Sequence, residues 1–281
     1  MTSEAPPFWW EEPDWRVLAL SPLSAAYALL AGRRMRHAPR EKVEAPVLCV
    51  GNFTVGGSGK TPNRAAGARL LMEKLGCDFL IMDDGFQSAR LHIDFALVVV
   101  DTRYGIGNGR VIPGGPLRAN IVDQLVFTSA LLKMGEGTAA DPVVRQAARA
   151  GRPIFEAHTE PRARERFAGK RFLAFAGIGH PEKFFGTLRQ AGGDVVLAKS
   201  FPDHHFYAED ELAELAATAK RDGLRLVTTA KDAARLRHGA SQEFLDQLEV
   251  LEIDAVFELD HVPERIIDET LDAWRQRKLR R

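Results

Sequence analysis

The stretch Val47-Leu-Cys-Val-Gly-Asn-Phe-Thr-Val-Gly-Gly-Ser-Gly-Lys-Thr-Pro62 governs how the rest of the chain is read. Val47 to Val50 is a short apolar run with the length of a buried strand. It breaks into Gly56, Gly57 and Gly59 directly ahead of Lys60 and Thr61. Glycines let successive backbone N–H groups turn inward around an anion, which a Cβ would obstruct. A helix starting after them points its positive end at the same phosphates. Lys60 then reaches the β- and γ-phosphates as a mobile cation, and the Thr61 hydroxyl is placed to ligate Mg²⁺. The usual phosphate-loop pattern opens on a glycine where this chain has Thr54. An ordinary glycine-rich turn is the competing reading, and the strand in front of the glycines favours the nucleotide.

Charge narrows the partners. The 281 residues carry 38 Lys and Arg against 38 Asp and Glu, so no global field draws the chain to nucleic acid. The two cysteines, Cys49 and Cys77, sit inside apolar runs and read as small core residues rather than as a disulfide or a metal site. The opening residues are acidic and proline-rich, unlike a secretory leader. No run of eighteen apolar residues occurs, so nothing is expected to span a bilayer.

Upstream of the glycines, Phe8, Trp9, Trp10 and Trp15 precede an apolar segment from Val17 to Ala31, interrupted by Pro22. Arg33, Arg34, Arg36, His37, Arg40 and Lys42 follow. Indole rings favour the headgroup level of a membrane, and cations beside an apolar helix attract anionic lipid. The alternative is a helix packed on the main body with a solvated basic end.

Downstream, residues 64–75 have helical spacing closed by Gly76, and residues 77–82 read as a second buried strand. That strand runs into Asp83-Asp84-Gly85-Phe86-Gln87, acidic residues at a strand's carboxyl end, where nucleotide enzymes hold Mg²⁺. A third strand, 95–100, ends at Asp101 and leads into a long glycine-rich loop. Arg103, Arg110 and Arg118 in that loop are candidates to grip a phosphate. Residues 122–127 read as a strand, 135–140 as a linker and 142–150 as a helix. Beyond them strands at 171–176, 194–199, 224–227 and 250–257 alternate with helices after Pro181, at 209–221 and at 263–278. This rhythm predicts a P-loop NTPase-like α/β fold, a doubly wound and mostly parallel sheet with helices on both faces. In the second half Asp203-His204-His205 is the sharpest polar cluster, fit for acid/base or orienting work by one histidine, with a helix-capping loop as the other reading.

Taken together these motifs resemble one family, the tetraacyldisaccharide 4'-kinases of lipid A biosynthesis. The stretches that carry the resemblance are 51–62, Asp83-Asp-Gly-Phe-Gln87, Gly107-Asn-Gly-Arg110 with Pro113-Gly-Gly-Pro-Leu-Arg118, Phe175-Ala-Gly-Ile-Gly179 with Pro181-Glu-Lys-Phe184, Phe201-Pro-Asp-His-His205, and Val227-Thr-Thr229 with Lys231-Asp-Ala233. Thr54 at the head of the loop is also this family's habit. The resemblance implies ATP held by Thr54, Val55, Gly56, Gly57, Ser58, Gly59, Lys60 and Thr61. It implies Mg²⁺ near Thr61, Asp83 and Asp84, and transfer of the γ-phosphate to the 4'-hydroxyl of a lipid disaccharide 1-phosphate. Lys60, Asp84 and His204 are then the catalytic candidates. An N-terminal interfacial helix on the cytoplasmic face of the inner membrane is implied too, while acyl-chain preference and oligomeric state are not written in these motifs.

The expected divisions are a membrane-surface helix with its basic flank over 1–42, a nucleotide-binding core over 43–160 and a second α/β half over 161–281. In three places the chain departs from the family pattern. A segment with a Ser-Arg-Gly-Tyr-Gly and then a Gly-Asp-Glu-Pro motif normally separates the phosphate loop from the Asp-Asp-Gly-Phe-Gln strand; here Pro62 leads almost directly into the next helix. The family's catalytic aspartate, the partner of the histidine matching His204, belongs to that segment. Ser88 and Ala230 stand where the family usually has His and Glu. A catalytically silent nucleotide-binding paralogue at the membrane surface is therefore the rival expectation.

Overall fold

The structure, a computed structural model, describes residues 5–54, 64–87, 90–237 and 239–280. Two sheets organise it, the first mostly and the second wholly parallel. In the first, β1 (Val47–Gly51) lies between β2 (Leu80–Asp83) and β3 (Phe95–Asp101), followed outward by β4 (Ala130–Met134), β5 (Ile154–Pro161) and β10 (Ile253–Phe257). The pairings β2–β1, β1–β3, β3–β4 and β4–β5 are all parallel. The second sheet has the order β7 (Asp194–Ser200), β6 (Arg171–Ala176), β8 (Arg225–Thr229), β9 (Leu248–Leu251), again all parallel.

Helices cover both faces of each sheet because the strands are apolar on both, as buried parallel strands must be. Cys49, Val98 and Leu131 point to the side of α1 (Trp15–His37), α3 (Ile121–Val126) and α4 (Asp141–Arg149). Their neighbours Leu48, Leu97 and Leu132 point to α9 (Val262–Leu279), while α2 (Arg64–Leu75) packs Ala65 and Ala68 against Val47 and Leu80. In the second sheet Phe172, Ala174 and Ala176 meet Phe184, Phe185 and Leu188 of α5 (Pro181–Gln190). Leu173 and Phe175 meet α6 (Glu209–Asp222), α7 (Ala230–Leu236) and α8 (Gln242–Gln247). Each such fully buried Leu or Phe contributes about 1.5–3 kcal/mol.

The chain divides into two compact units, Thr159–Val256 and the remainder, Ala5–His158 with everything from Phe257 on. This differs from the boundaries drawn on the sequence, which assigned 161–281 to the second half and set 1–42 apart. Val262 and Ile266 of α9 are buried against the first sheet. Arg277, on the last turns of α9, forms a two-pronged ion pair with Asp94 at 2.7 and 3.1 Å, and also donates to the Val43 and Ala45 carbonyls. Val47 N–H donates to the same carboxylate, so the C-terminal helix is clamped to the start of β1.

Two strand expectations are corrected. In place of a strand over 122–127 the chain forms the short helix α3 (Ile121–Val126), because the polar group at Gln124 turns inward and is satisfied there by the Ala119 and Phe53 carbonyls. The strand of that region is β4, eight residues later. The run 250–257 is two strands, since the chain leaves one sheet after Leu251 and joins the other at Ile253.

α1 continues through Pro22 for 23 residues. Val17, Ala28, Gly32 and Met35 form its buried stripe, and Arg36 pairs with Asp123 of α3. Trp15, Leu18, Leu23, Leu29 and Leu30 face outward, each more than 60% exposed. Pro22 and the serines break the apolar run but not the helix. By length and composition alone α1 meets the requirement for a span that run length denied it, through an eighteen-residue window of mean hydropathy 1.2.

Candidate functional site

In an open parallel sheet, ligands settle beyond the carboxyl ends of the strands, where neighbouring connections depart in opposite directions. In the first sheet that point lies between β1 and β3. The chain leaves β1 through Asn52, Phe53 and Thr54, and Thr54 bridges Leu117 of the glycine-rich loop. Val55, Gly56, Gly57, Ser58, Gly59, Lys60 and Thr61 follow and lie outside the described residues, as does Ser88.

The neighbouring strand end is fully described. Asp83 closes β2 and is exposed; Asp84 is half-buried in a left-handed conformation, φ 44°, and its N–H donates to Val50 O. Arg118 donates to Asp84 Oδ2 at 3.2 Å and to Gln87 Oε1 at 2.9 Å. Gln87 in turn donates to Asn52 O at 2.6 Å and to the side chain of Gln124. This network ties the Asp-Asp-Gly-Phe-Gln turn to the backbone leaving β1. Gly51 permits the approach, since a Cβ there would lie 2.7 Å from the Cβ of Phe86. Burial also pushes the Cys49 thiol up to about 12, which leaves it an inert core residue.

Two buried oxygens in this network, Asp84 Oδ1 and Asn52 Oδ1, accept no hydrogen bond from the described residues. Buried acceptors are normally satisfied, and hard oxygen atoms of this kind are what Mg²⁺ takes from a protein when phosphates and water supply the rest. The donor set therefore fits a magnesium ion. Of the three loop arginines, only Arg118 reaches this strand end. Arg110 lines a groove of about 490 Å³ against α1, and Arg103 stacks over Tyr104.

The Asp203-His204-His205 turn follows β7 in the second unit and separates the two histidines. His205 stacks on Phe201, packs edge-on to Tyr207 and lies 2.8 Å from Glu211 Oε2. That carboxylate also accepts the Ala208 N–H, and these two contacts hold it below its ordinary range. His204 points out. Its φ is 62°, and its N–H donates to Gly177 O and Asp203 Oδ1. Arg235 donates to His204 Nδ1 at 3.0 Å, to Gly177 O at 2.8 Å and to Asp232 Oδ1 at 2.9 Å. Asp232, fully buried, also accepts from Gly177 N–H and the Thr229 hydroxyl. Burial and this carboxylate push the ionisation of Tyr207 far above its usual range. Because a guanidinium only donates, Nδ1 of His204 accepts, and the neutral ring carries its proton on Nε2. Nε2 of His204, 3.7 Å from Asp203 Oδ2, is the ring nitrogen left to donate to an incoming oxygen.

Arg235 and Gln124 were not singled out from the sequence. The signal for Arg235 was its place three residues after Asp232 at a helix start, a common spacing on its own.

These features define a class: a two-unit α/β protein in which the first strand of the first sheet leads into a glycine-rich stretch and the adjacent strand ends on acidic residues. A family model described as tetraacyldisaccharide-1-P 4'-kinase matches residues 16–63 and 62–272. The tetraacyldisaccharide 4'-kinase of Mesorhizobium japonicum is 69% identical, and the alignment covers all of both chains. That of a Chelativorans species is 45% identical over 99% of each. The crystal structure of LpxK from Aquifex aeolicus in complex with ATP shares the fold, with a TM-score of 0.66, 21% identity, and coverage of 90% of this chain and 99% of that one.

The chain belongs to the tetraacyldisaccharide-1-P 4'-kinase family. The Mesorhizobium alignment extends over 340 positions and this chain has 281 residues, so at least 59 positions face no residue of it. The family match breaks into its two pieces at residues 62 and 63, where the sequence departs from the family pattern. Just beyond that join, Leu70, Leu71 and Leu75 of α2 and Ile81 of the edge strand β2 are exposed apolar side chains.

Proposed function

We propose that the chain is an ATP-dependent kinase of lipid A biosynthesis that phosphorylates the 4'-hydroxyl of a tetraacyldisaccharide 1-phosphate. The observation that carries this is the 69% identity, over its full length, to a relative named for that activity. Thr54 to Thr61 bind the triphosphate of ATP, with Lys60 on the β- and γ-phosphates. Thr61, Asp84 and Asp83 would hold Mg²⁺, which would supply charge neutralisation for the phosphates. Arg118 keeps the Asp84 carboxylate in place. His204, through its Nε2 proton, orients an oxygen of the acceptor or of the transferring phosphoryl group.

The acceptor is a lipid, and each CH₂ kept in the bilayer saves about 0.8 kcal/mol. The outward apolar face of α1, flanked by Arg33, Arg34 and Arg36, suits attachment at the cytoplasmic face of the inner membrane, where the substrate is at hand.

The missing segment bears on turnover rather than on nucleotide binding. The aspartate that the family resemblance pairs with His204 belongs to it, and loss of an acid/base partner costs about 10²- to 10⁴-fold. The test is ATP-dependent transfer of labelled phosphate to the disaccharide 1-phosphate lipid, with Lys60→Ala as the blank. Transfer above the blank, slower by that factor than in the Mesorhizobium relative, is expected. ATP binding that Lys60→Ala abolishes, with no transfer at any enzyme concentration, identifies the silent paralogue instead.

A further inference from the structure

Gln124 of α3 is fully buried on the side of the first sheet where Phe53, Leu117 and Leu125 form the core. An amide taken out of water costs free energy unless its hydrogen bonds are replaced. Here they are. Nε2 donates to Ala119 O at 2.8 Å and to Phe53 O at 3.3 Å, and Oε1 accepts from Gln87 Nε2 at 2.9 Å.

Two main-chain carbonyls decide which way this amide lies. A carbonyl oxygen only accepts, so Ala119 and Phe53 turn the nitrogen of Gln124 toward themselves and its oxygen toward Gln87. Gln87 then gives its nitrogen to Gln124 and to Asn52 O, 2.6 Å away, which leaves its own oxygen for Arg118. A guanidinium only donates, and Arg118 directs one N–H to Gln87 Oε1 and another to Asp84 Oδ2. The bonds therefore run one way, from α3 to the turn beyond β2. No member can be reversed without setting two donors or two acceptors face to face.

The fixed end of this chain of bonds is the backbone leaving β1. Asn52 O and Phe53 O belong to it, and it is held besides by the Arg118 backbone N–H, 3.2 Å from Phe53 O, and by the bridge from Thr54 to Leu117. The far end is the Asp84 carboxylate. The bond to Oδ2 sets its rotation, and with that the place of Oδ1, the buried oxygen that accepts no hydrogen bond from the described residues. We propose that Gln124 is a positioning residue for the metal: through Gln87 and Arg118 it fixes the Asp84 carboxylate relative to the backbone entering the glycine-rich stretch. The inference rests on the reading of this strand end as a magnesium site. Outer partners of this kind orient the groups that touch a metal, and a fully satisfied polar network holds them rigidly.

The test uses the full chain, Mn²⁺ in place of Mg²⁺, ADP, and the variants Gln124→Met, Gln87→Met and Q87M/Q124M. Methionine keeps the length of the side chain and removes its amide. Mn²⁺ affinity in saturating ADP is read by electron paramagnetic resonance, ADP affinity without metal by calorimetry, and folding by thermal melting. Gln124→Met should weaken Mn²⁺ binding about tenfold, the lower end of what such outer partners are worth, with metal-free ADP affinity unchanged. Because Gln124 acts through Gln87, the double variant should bind Mn²⁺ no more weakly than Gln87→Met. Undiminished Mn²⁺ affinity in folded Gln124→Met overturns the proposal. So does an equal loss of metal-free ADP affinity, or losses that add in the double variant, since Gln124 would then act by packing alone. If Gln124→Met does not fold, Gln87→Met decides: a tenfold loss upholds the chain of bonds and unchanged affinity overturns it. No Mn²⁺ binding by the unsubstituted chain overturns the metal reading of this strand end, and the positioning role with it.

Discussion

His204 and His205 are adjacent in the chain and have opposite surroundings. Aromatic rings and Glu211 enclose His205, whereas His204 is turned outward by a left-handed backbone and held by Arg235. A residue other than glycine with positive φ costs about 1 kcal/mol or more, and here the bonds from His204 N–H to Gly177 and Asp203 offset it. The buried Asp232 holds Arg235, and Arg235 fixes which nitrogen of His204 bears the proton. Arg235→Gln should therefore lower kcat by about 10- to 100-fold through misplacement of the ring, with KM for ATP unchanged. Nitrogen NMR of His204 should show the Nε2-protonated form giving way to a mixture of tautomers. Arg235→Lys should recover part of both effects. A mixture in the variant with kcat intact would mean that His204 does not act on the reacting groups; an unaltered tautomer would mean that Arg235 does not set it.

Among helices and strands, α9 shows how a distant segment completes a sheet it does not belong to. Its Arg277 and the Asp94 ahead of β3 are almost fully buried and bond to each other and to the backbone entering β1, with His92 Nε2 3.6 Å from the same carboxylate. Removing one member leaves a buried charge without its partner, so Arg277→Ala or Asp94→Ala should each lower unfolding free energy by about 3–5 kcal/mol. The double substitution should cost much less than the sum of the two. Urea denaturation of the three variants checks this, and strict additivity would show that the pair is not coupled. α3 and the β9–β10 corner teach a related lesson. Short apolar runs do not distinguish helix from strand, nor one strand from two, and the buried bonds of Gln124 and the change of sheet at Glu252 settle these cases.

Across the full chain, the two units share one winding, and α1 adds an apolar outer surface to the first. Because Ala28 and Met35 on its inner stripe are part of the core, removing α1 would unfold what it covers. Substituting the outer side is the cleaner experiment. Leu18→Ser, Leu29→Ser and Leu30→Ser together should leave the melting temperature nearly unchanged and strongly reduce sedimentation with vesicles containing anionic lipid. Undiminished sedimentation would remove α1 from membrane attachment. The exposed leucines of α2 follow the residues at which the family match breaks in two.

The sequence by itself determined the acidic strand end, the alternation that makes a mostly parallel α/β fold, and membership in a family, because each is written in residues close together along the chain; the glycine-rich stretch read as a phosphate loop lies outside the described residues. It also placed the break after Pro62. Only the tertiary structure decided which arginine meets Asp84, which histidine faces outward, and where the C-terminal helix docks. Those depend on side chains from 31 residues apart, as for Arg118 with Gln87 and Arg235 with His204, to 183 apart, as for Arg277 with Asp94. No local pattern encodes such meetings, since they follow from the order in which strands are laid into a sheet.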